Sequence, residues 1–236
     1  MRAMSALDAA LALRALDLVA VALALACWFG IRVLIEHPPG ARESVSTLMA
    51  ELRRRWLREM AKRDVRIFDA QIVGNLRQGT SFFASTSILA IGAMLTLVGN
   101  AEMLGSVTQG ILGDPRPAPV TQLKLMLPTL FLVEAFLRFA WANRIFGYAS
   151  VAMAAVPAPD DDDVRRVARQ SAELNIRAAV NFNRGLRAIY FALASLAWLA
   201  GALPLMVATG VAAITLWRRE FASTVHAILT KMEEEA

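Results

Sequence analysis

The sequence predicts an all-α integral membrane protein, a four-helix bundle with two cytoplasmic amphipathic helices. Three observations carry that expectation. The 236 residues are 57% hydrophobic and 19% charged, with a mean hydropathy of +0.47, whereas soluble domains sit near half apolar and a quarter charged. The apolar residues fall into four blocks, each long enough for the ~20 residues that cross a bilayer as a helix. None of the blocks alternates with period two, so the closed barrel, the other backbone solution in lipid, is not expected.

The first block, 16–35, reads LDLVAVALALACWFGIRVLI. Its LALAC resembles a lipoprotein cleavage box, but the run stays apolar past Cys27, and Asp8 and Asp17 interrupt any basic leader. A cleaved signal has a shorter core and a polar exit, so this block is expected to be a retained span. Arg14 and Asp17 are expected to pair at its outer edge. Ala22, Ala26 and Gly30, four apart, form a stripe suited to close helix contact. The remaining spans are expected at 82–99, 125–146 and 188–217. Pro204 is expected to kink the last of them, the longest of the four.

The connections differ in character. Residues 105–122, GSVTQGILGDPRPAPVTQ, are rich in Gly and Pro and read as an irregular loop. Within the connection 36–81, Val45, Met49, Leu52, Trp56 and Met60 share one helical face, with Arg54, Arg55, Arg58 and Lys62 opposite. Such a helix suits the membrane interface, its basic side toward anionic headgroups; it equally suits packing on the other inner connection. That second connection, 147–187, contains Asp160, Asp161, Asp162 and Asp163. Acidic residues favour a helix start, where free N–H groups collect, and this reading is preferred to a divalent cation site. Val164, Val167, Ser171, Asn175, Ala178 and Phe182 follow at helical spacing.

Orientation follows from Lys and Arg beside the spans. The two long connections hold fifteen of them, and the N-terminal, 100–124 and C-terminal segments hold seven. Both connections are therefore expected in the cytoplasm of a bacterium, with both termini outside its inner membrane. The net charge of +5 adjoins membrane spans, which points to anionic lipid rather than nucleic acid.

A shift of 108 residues aligns Asn75 with Asn183, Phe83 with Phe191, Ala84 with Ala192 and Ser87 with Ser195, suggesting two related hairpins. The stretches NLRQGTSFFAST (75–86), FAWANRIFGYAS (139–150), NFNRGLRAIYFALASLAW (181–198) and RREFAS (218–223) resemble a family of bacterial and plant membrane proteins described as a domain of unknown function. The likeness extends from about residue 10 to 225. One departure is Gly147 before Tyr148, where the family tends to carry Asn. The resemblance implies a four-span membrane protein and supplies no activity, substrate or catalytic residue.

Few residues invite chemistry. Cys27 is the single cysteine, and His37 and His226 stand far apart, so no metal site, cofactor or catalytic constellation is expected. Glu134 and Arg138 lie four apart inside the third span and form a candidate intramembrane polar site; mutual neutralisation between helices explains them equally well. At the seams, Arg77, Arg184 and Arg187 are expected among headgroups. The repeated Asn75 and Asn183 hint at a specific hydrogen bond. These features point to a non-enzymatic scaffold, assembly or lipid-interaction protein. The alternative is a transporter or channel built on Glu134 and Arg138. Expected partners are anionic membrane lipids and either further copies of the chain or another membrane protein.

Overall fold

The computed structural model describes residues 15–40, 42–112, 117–159 and 162–235. Among these there is no strand. The helices are α1 (Ala15–Glu36), α2 (Val45–Met60), α3 (Ile67–Gly99), α4 (Ala101–Leu112), α5 (Ala118–Ala154), α6 (Val164–Ser195), α7 (Ala202–Phe221) and α8 (Thr224–Glu234), with a 3₁₀ turn at Leu196–Leu199. Local chemistry explains several boundaries. Ser44 and Ser223 accept hydrogen bonds from the N–H groups of Thr47 and His226, both at 3.1 Å, and so open α2 and α8. Pro119 sits in the first turn of α5, where a missing N–H is harmless.

Three helices, α1, α3 and α5, are long and apolar enough to cross a membrane. At 1.5 Å per residue, α3 and α5 reach roughly 50 and 55 Å, against about 30 Å of hydrocarbon. Each therefore has a part to spare beyond a bilayer core.

The chain divides into two compact units. Among described residues, the first contains 15–32, 86–135 and 186–216. Its buried interior includes Ala20, Ala24, Leu125, Phe131, Phe191 and Leu205, with Phe131 against both Trp28 and Phe191. Its surface is apolar as well: Leu18, Phe29, Leu89, Leu130, Val207 and Ile214 are all more than half exposed. The most apolar stretch of α3 is only 11% buried. Apolar surface on this scale needs a non-aqueous neighbour.

The second unit contains 33–85, 136–185 and 217–235. Leu57 and Met60 of α2, Val73 of α3, Met153 of α5 and Ala168 and Ala172 of α6 share one core. Phe83, Phe139 and Phe182 form an aromatic trio, with centroids 5.4 to 5.6 Å apart. Gly185 lies directly against that trio. A Cβ there would come within 2.7 Å of Phe139 Cε1, closer than carbon atoms pack. The Gly in NFNRGLR is thus a close-approach residue between α6 and α5.

Four expectations change. Residues 188–217 are not one kinked helix. They comprise the end of α6, the 3₁₀ turn and α7, divided at Gly201, whose φ of +137° suits only glycine. Pro204 follows within the first turn of the new helix, where it fits without kinking anything. The presumed loop 105–122 is largely helical, because α4 runs to Leu112 and α5 starts at Ala118; isolated glycines weaken a helix by only about 1 kcal/mol each. The Ala22, Ala26 and Gly30 stripe is exposed, and Ala20, Ala24, Ile31 and Ile35 form the buried face instead.

The fourth change concerns the C-terminal segment, which packs on the 36–81 connection. Arg42 donates to the Phe221 carbonyl at 2.8 Å, Glu220 accepts from the N–H and hydroxyl of Ser46 at 3.0 Å, and His226 Nε2 lies 2.9 Å from the Glu43 carbonyl. Since α7 turns back after Gly201, its charged end shares a side with that connection. The expectation that this terminus lies apart from both long connections is therefore overturned. Reassigning Arg218, Arg219 and Lys231 turns fifteen against seven into eighteen against four.

Gly185→Ala should lower stability by up to about 2 kcal/mol, since overpacking of about 1–3 kcal/mol is set against a helix-propensity gain near 1. Gly79→Ala, with nothing within 4 Å of its added Cβ, should be neutral or stabilising. Thermal unfolding of the two variants in one detergent provides the comparison; equal shifts would remove the close-approach role.

Candidate functional site

In the first unit, a buried polar node joins three distant parts of the chain. Trp198 Nε1 donates to Asp17 Oδ1 at 2.6 Å, and Lys124 Nζ lies 3.5 Å from the same oxygen. Lys124 also donates to the Trp198 carbonyl at 3.2 Å and sits 5.6 Å from the centre of its ring. All three residues are buried. Asp17 thus has Lys124 and Trp198 as partners, while Arg14, its expected partner, lies outside the described residues. The node fixes the 3₁₀ turn to the start of α1 and to α5.

A second node of the same kind, with an arginine in place of the lysine, lies in the second unit. Trp56 Nε1 donates to Asp69 Oδ1 at 2.7 Å, and Arg63 Nη1 donates to that oxygen at 2.9 Å. Asp69 is 1% exposed, and its Oδ2 has no hydrogen-bond partner among the described residues. Beside it, Arg66 reaches from the start of α3 to the carbonyls of Val156 and Pro157 and strap the α5–α6 connection in place. These residues adjoin a cavity of about 410 Å³ with a mostly apolar lining: Met60, Ile67, Ala70, Val73, Met153 and Ala154, together with Arg66, Asp69 and Ser150.

The sequence-derived candidates are placed as follows. Glu134 and Arg138 lie one turn apart on α5, each half-buried. Arg138 donates to Asn181 at 3.3 Å, and Asn181 in turn donates to the Arg177 carbonyl. Trp141, Arg144 and Tyr148 follow on exposed positions, with Arg144 Nε 2.7 Å from the Tyr148 hydroxyl. Such aromatic and basic residues suit a membrane interface.

At the seams, Arg184 grips Glu36 with two bonds of 2.8 and 2.6 Å, both side chains largely buried. Arg187 is 4% exposed. Neither therefore occupies the exposed headgroup position expected of it, because each lies in the protein interior. Arg77 is exposed and its guanidinium lies over Gly147, 3.8 Å from where a Cβ there would stand; a side chain at 147 would meet Arg77. Asn75 is exposed and Asn183 half-buried, and neither side chain makes a hydrogen bond among the described residues. The buried asparagines are Asn175 and Asn181. Asn175 belonged to the predicted helical face of α6 without a predicted polar role.

Helix α2 departs from the expected split of faces. Leu48, Leu57 and Met60 are its buried residues, and Leu57 and Met60 join the α6 core. Its basic residues are mostly answered by protein carboxylates: Arg54 by Glu173 and Glu51, Arg58 by Glu51, and Lys62 by Glu59. Glu173 holds the Arg54 guanidinium above its ordinary range. Arg53 is pushed down by burial and bonds Asn175. Arg55 stays exposed beside a groove shared with α8. Helix α2 thus packs on the second connection through Leu57 and Met60. Asp163 pairs with Arg166 just ahead of α6, Asp160 and Asp161 lie outside the described residues, and among those described no three His, Cys, Asp or Glu side chains gather as a metal site.

The match with known proteins extends across nearly this whole architecture. A family model described as "Protein of unknown function, DUF599" matches residues 19–225. The chain belongs to that family. No curated protein and no solved structure matches. The match takes in all four stretches that carried the resemblance, the Asp69 node, and Lys124 and Trp198 of the other node.

Two predictions follow from these pairings. Glu36→Ala should destabilise the chain by about 3 kcal/mol, as loss of one partner of a buried pair does, whereas Glu51→Ala should change stability by under about 1 kcal/mol because its pairs are exposed. Thermal unfolding ranks them, and equal effects would reject the distinction.

Desolvation, a hydrogen bond that the protonated Glu233 carboxyl donates to Glu43, and the like charges of Glu43 and Glu51 raise Glu233 above its ordinary 4.5. A raised folded value stabilises the contact below about 4.5, and that contribution is lost as pH rises through the folded value. Protection factors in α8, corrected for the intrinsic rise of amide exchange with pH, should therefore fall from pH 4.5 toward neutrality. They should do so less in Glu233→Gln, and identical profiles would rule this coupling out.

Proposed function

We propose that this protein is a non-enzymatic, multi-pass scaffold of the bacterial cytoplasmic membrane that works through lipid and protein contact. The observation that carries the reading is the division of surface. Apolar side chains stand exposed on α1, α3, α5 and α7 of the first unit, while the second unit is laced with ion pairs. Lipid answers the first surface and water the second. In this reading α1, α3 and α5 span the bilayer, and residues 186–216 enter it as a helical hairpin. The second unit faces the cytoplasm, as the distribution of eighteen basic residues against four favours. Anionic lipid is attracted by the net charge of +5, with Arg55 and Arg77 as exposed contacts. The bond from Arg138 to Asn181 supports a structural role for the Glu134 and Arg138 pair over a transport path.

Accessibility labelling tests the arrangement in a Cys27→Ser background. A cysteine at Glu234 should react only from the cytoplasmic side, and one at Gly113 only from outside. The reverse pattern, or both residues reacting from one side, would reject the topology. Glu134→Gln with Arg138→Gln should leave proton and solute flux across reconstituted vesicles unchanged; loss of a wild-type flux in the folded double variant would favour transport.

A further inference from the structure

The Asp69 cavity has a polar feature that the fold leaves unused. Both donors to the carboxylate, Trp56 Nε1 and Arg63 Nη1, use Oδ1. Asp69 lines the cavity, and its other oxygen, Oδ2, is buried with no hydrogen-bond partner among the described residues. A buried carboxylate oxygen left without a donor is costly, and the natural complement is a strong N–H or O–H donor. Arg66 gives three of its five N–H donors, one each from Nε, Nη1 and Nη2, to the carbonyls of Arg63, Val156 and Pro157, which leaves one N–H on each Nη for a ligand.

Charge and shape then select the occupant. The cavity is lined by one carboxylate, Asp69, and one guanidinium, Arg66, while Arg63 reaches Asp69 through Oδ1. A purely anionic head would meet the open oxygen of Asp69, and a purely cationic one would meet Arg66. A head carrying one ammonium and one phosphate answers both. The floor is apolar, with Met60, Val73 and Met153 buried, and about 410 Å³ falls in the range of small-ligand sites. At the rim, Ile67 is 75% exposed, with Phe68 and Val151 exposed nearby in sequence on the same helices. These apolar side chains suit an acyl chain and have no use for a free polar solute.

We propose that this cavity binds an aminophospholipid, with the primary ammonium of its phosphoethanolamine head donating to Asp69 Oδ2, its phosphate beside Arg66, and an acyl chain along the apolar wall. The assignment rests on the membrane reading above and adds a lipid class to it. A choline head has no N–H to donate and should be rejected at Asp69. The phosphoethanolamine group alone has the right head and lacks the chain.

The test uses the delipidated full-length chain in a neutral detergent, with native mass spectrometry counting retained ligands. The probes are lysophosphatidylethanolamine, lysophosphatidylcholine and free phosphoethanolamine. The folded wild type should retain one lysophosphatidylethanolamine at least tenfold more tightly than the choline lipid, and free phosphoethanolamine more weakly still. Asp69→Asn should reduce the ethanolamine preference at least tenfold. Because Asp69 also holds Trp56 and Arg63, Ala154→Phe is the second variant: it fills the exposed rim, leaves the node intact, and should abolish retention. Equal retention of the two lipids, retention unchanged by Ala154→Phe, free phosphoethanolamine binding as tightly as the lipid, or no retention by folded wild type would each overturn the site. Correct labelling at Glu234 and Gly113 with no lipid retained would reject this site alone, whereas reversed labelling would reject the membrane arrangement itself.

Discussion

A carboxylate clamped between an indole N–H and a cation holds the chain at two places. Asp17 with Trp198 and Lys124 fixes the turn at 196–201, and Asp69 with Trp56 and Arg63 fixes α2 to the beginning of α3. Buried ion pairs contribute little net stability when compared with apolar replacements, and their best-attested role is to specify one arrangement over others. That role suits a chain whose apolar helix faces would otherwise slide without preference. Met, Leu and Ala surfaces pack in many registers; a Trp N–H reaches its Asp in one.

The Arg184 and Glu36 pair and the close approach at Gly185 extend this logic. Arg184 ties α6 to the end of α1, and one residue later Gly185 admits Phe139 against the helix. Together they explain why NFNRGLR is so compressed a motif: the arginine anchors the helix laterally and the glycine sets its separation. The asparagines around them have unequal roles. Asn181 meets Arg138, whereas the Asn183 side chain makes no hydrogen bond among the described residues.

Much of the fold was legible because long apolar helices write themselves in composition. The first three apolar blocks lie within α1, α3 and α5, and the helical spacing from Val164 onward is α6. The fourth block misled because hydropathy is indifferent to a reversal: LASLAWLAGALPLM stays apolar straight through the turn. Pro204 was visible there but was read as a kink. The two nodes were illegible for a different reason. Asp17, Lys124 and Trp198 are far apart in sequence, and only the folded chain brings them together. Local pairing rules instead offered Arg14 to Asp17 and gave the seam arginines to headgroups. For α2, spacing found an amphipathic helix but placed its seam imperfectly, since Leu48 and Leu57 occupy buried positions that Val45, Met49 and Leu52 do not.

The reversal at Gly201 also bears on how the chain would enter a membrane. In the proposed orientation, residues 186–216 insert as a hairpin from the cytoplasmic face. Between Arg187 and Arg218 the sequence contains no Lys, Arg, Asp or Glu. No charged side chain would then have to be carried through the hydrocarbon to place this segment, and Arg218 and Arg219 would remain on the side where they were synthesised. A single straight span would have required both to be translocated. In that orientation the turn would convert the most basic part of the C-terminal region from an obstacle to insertion into a stop that holds the hairpin at its depth.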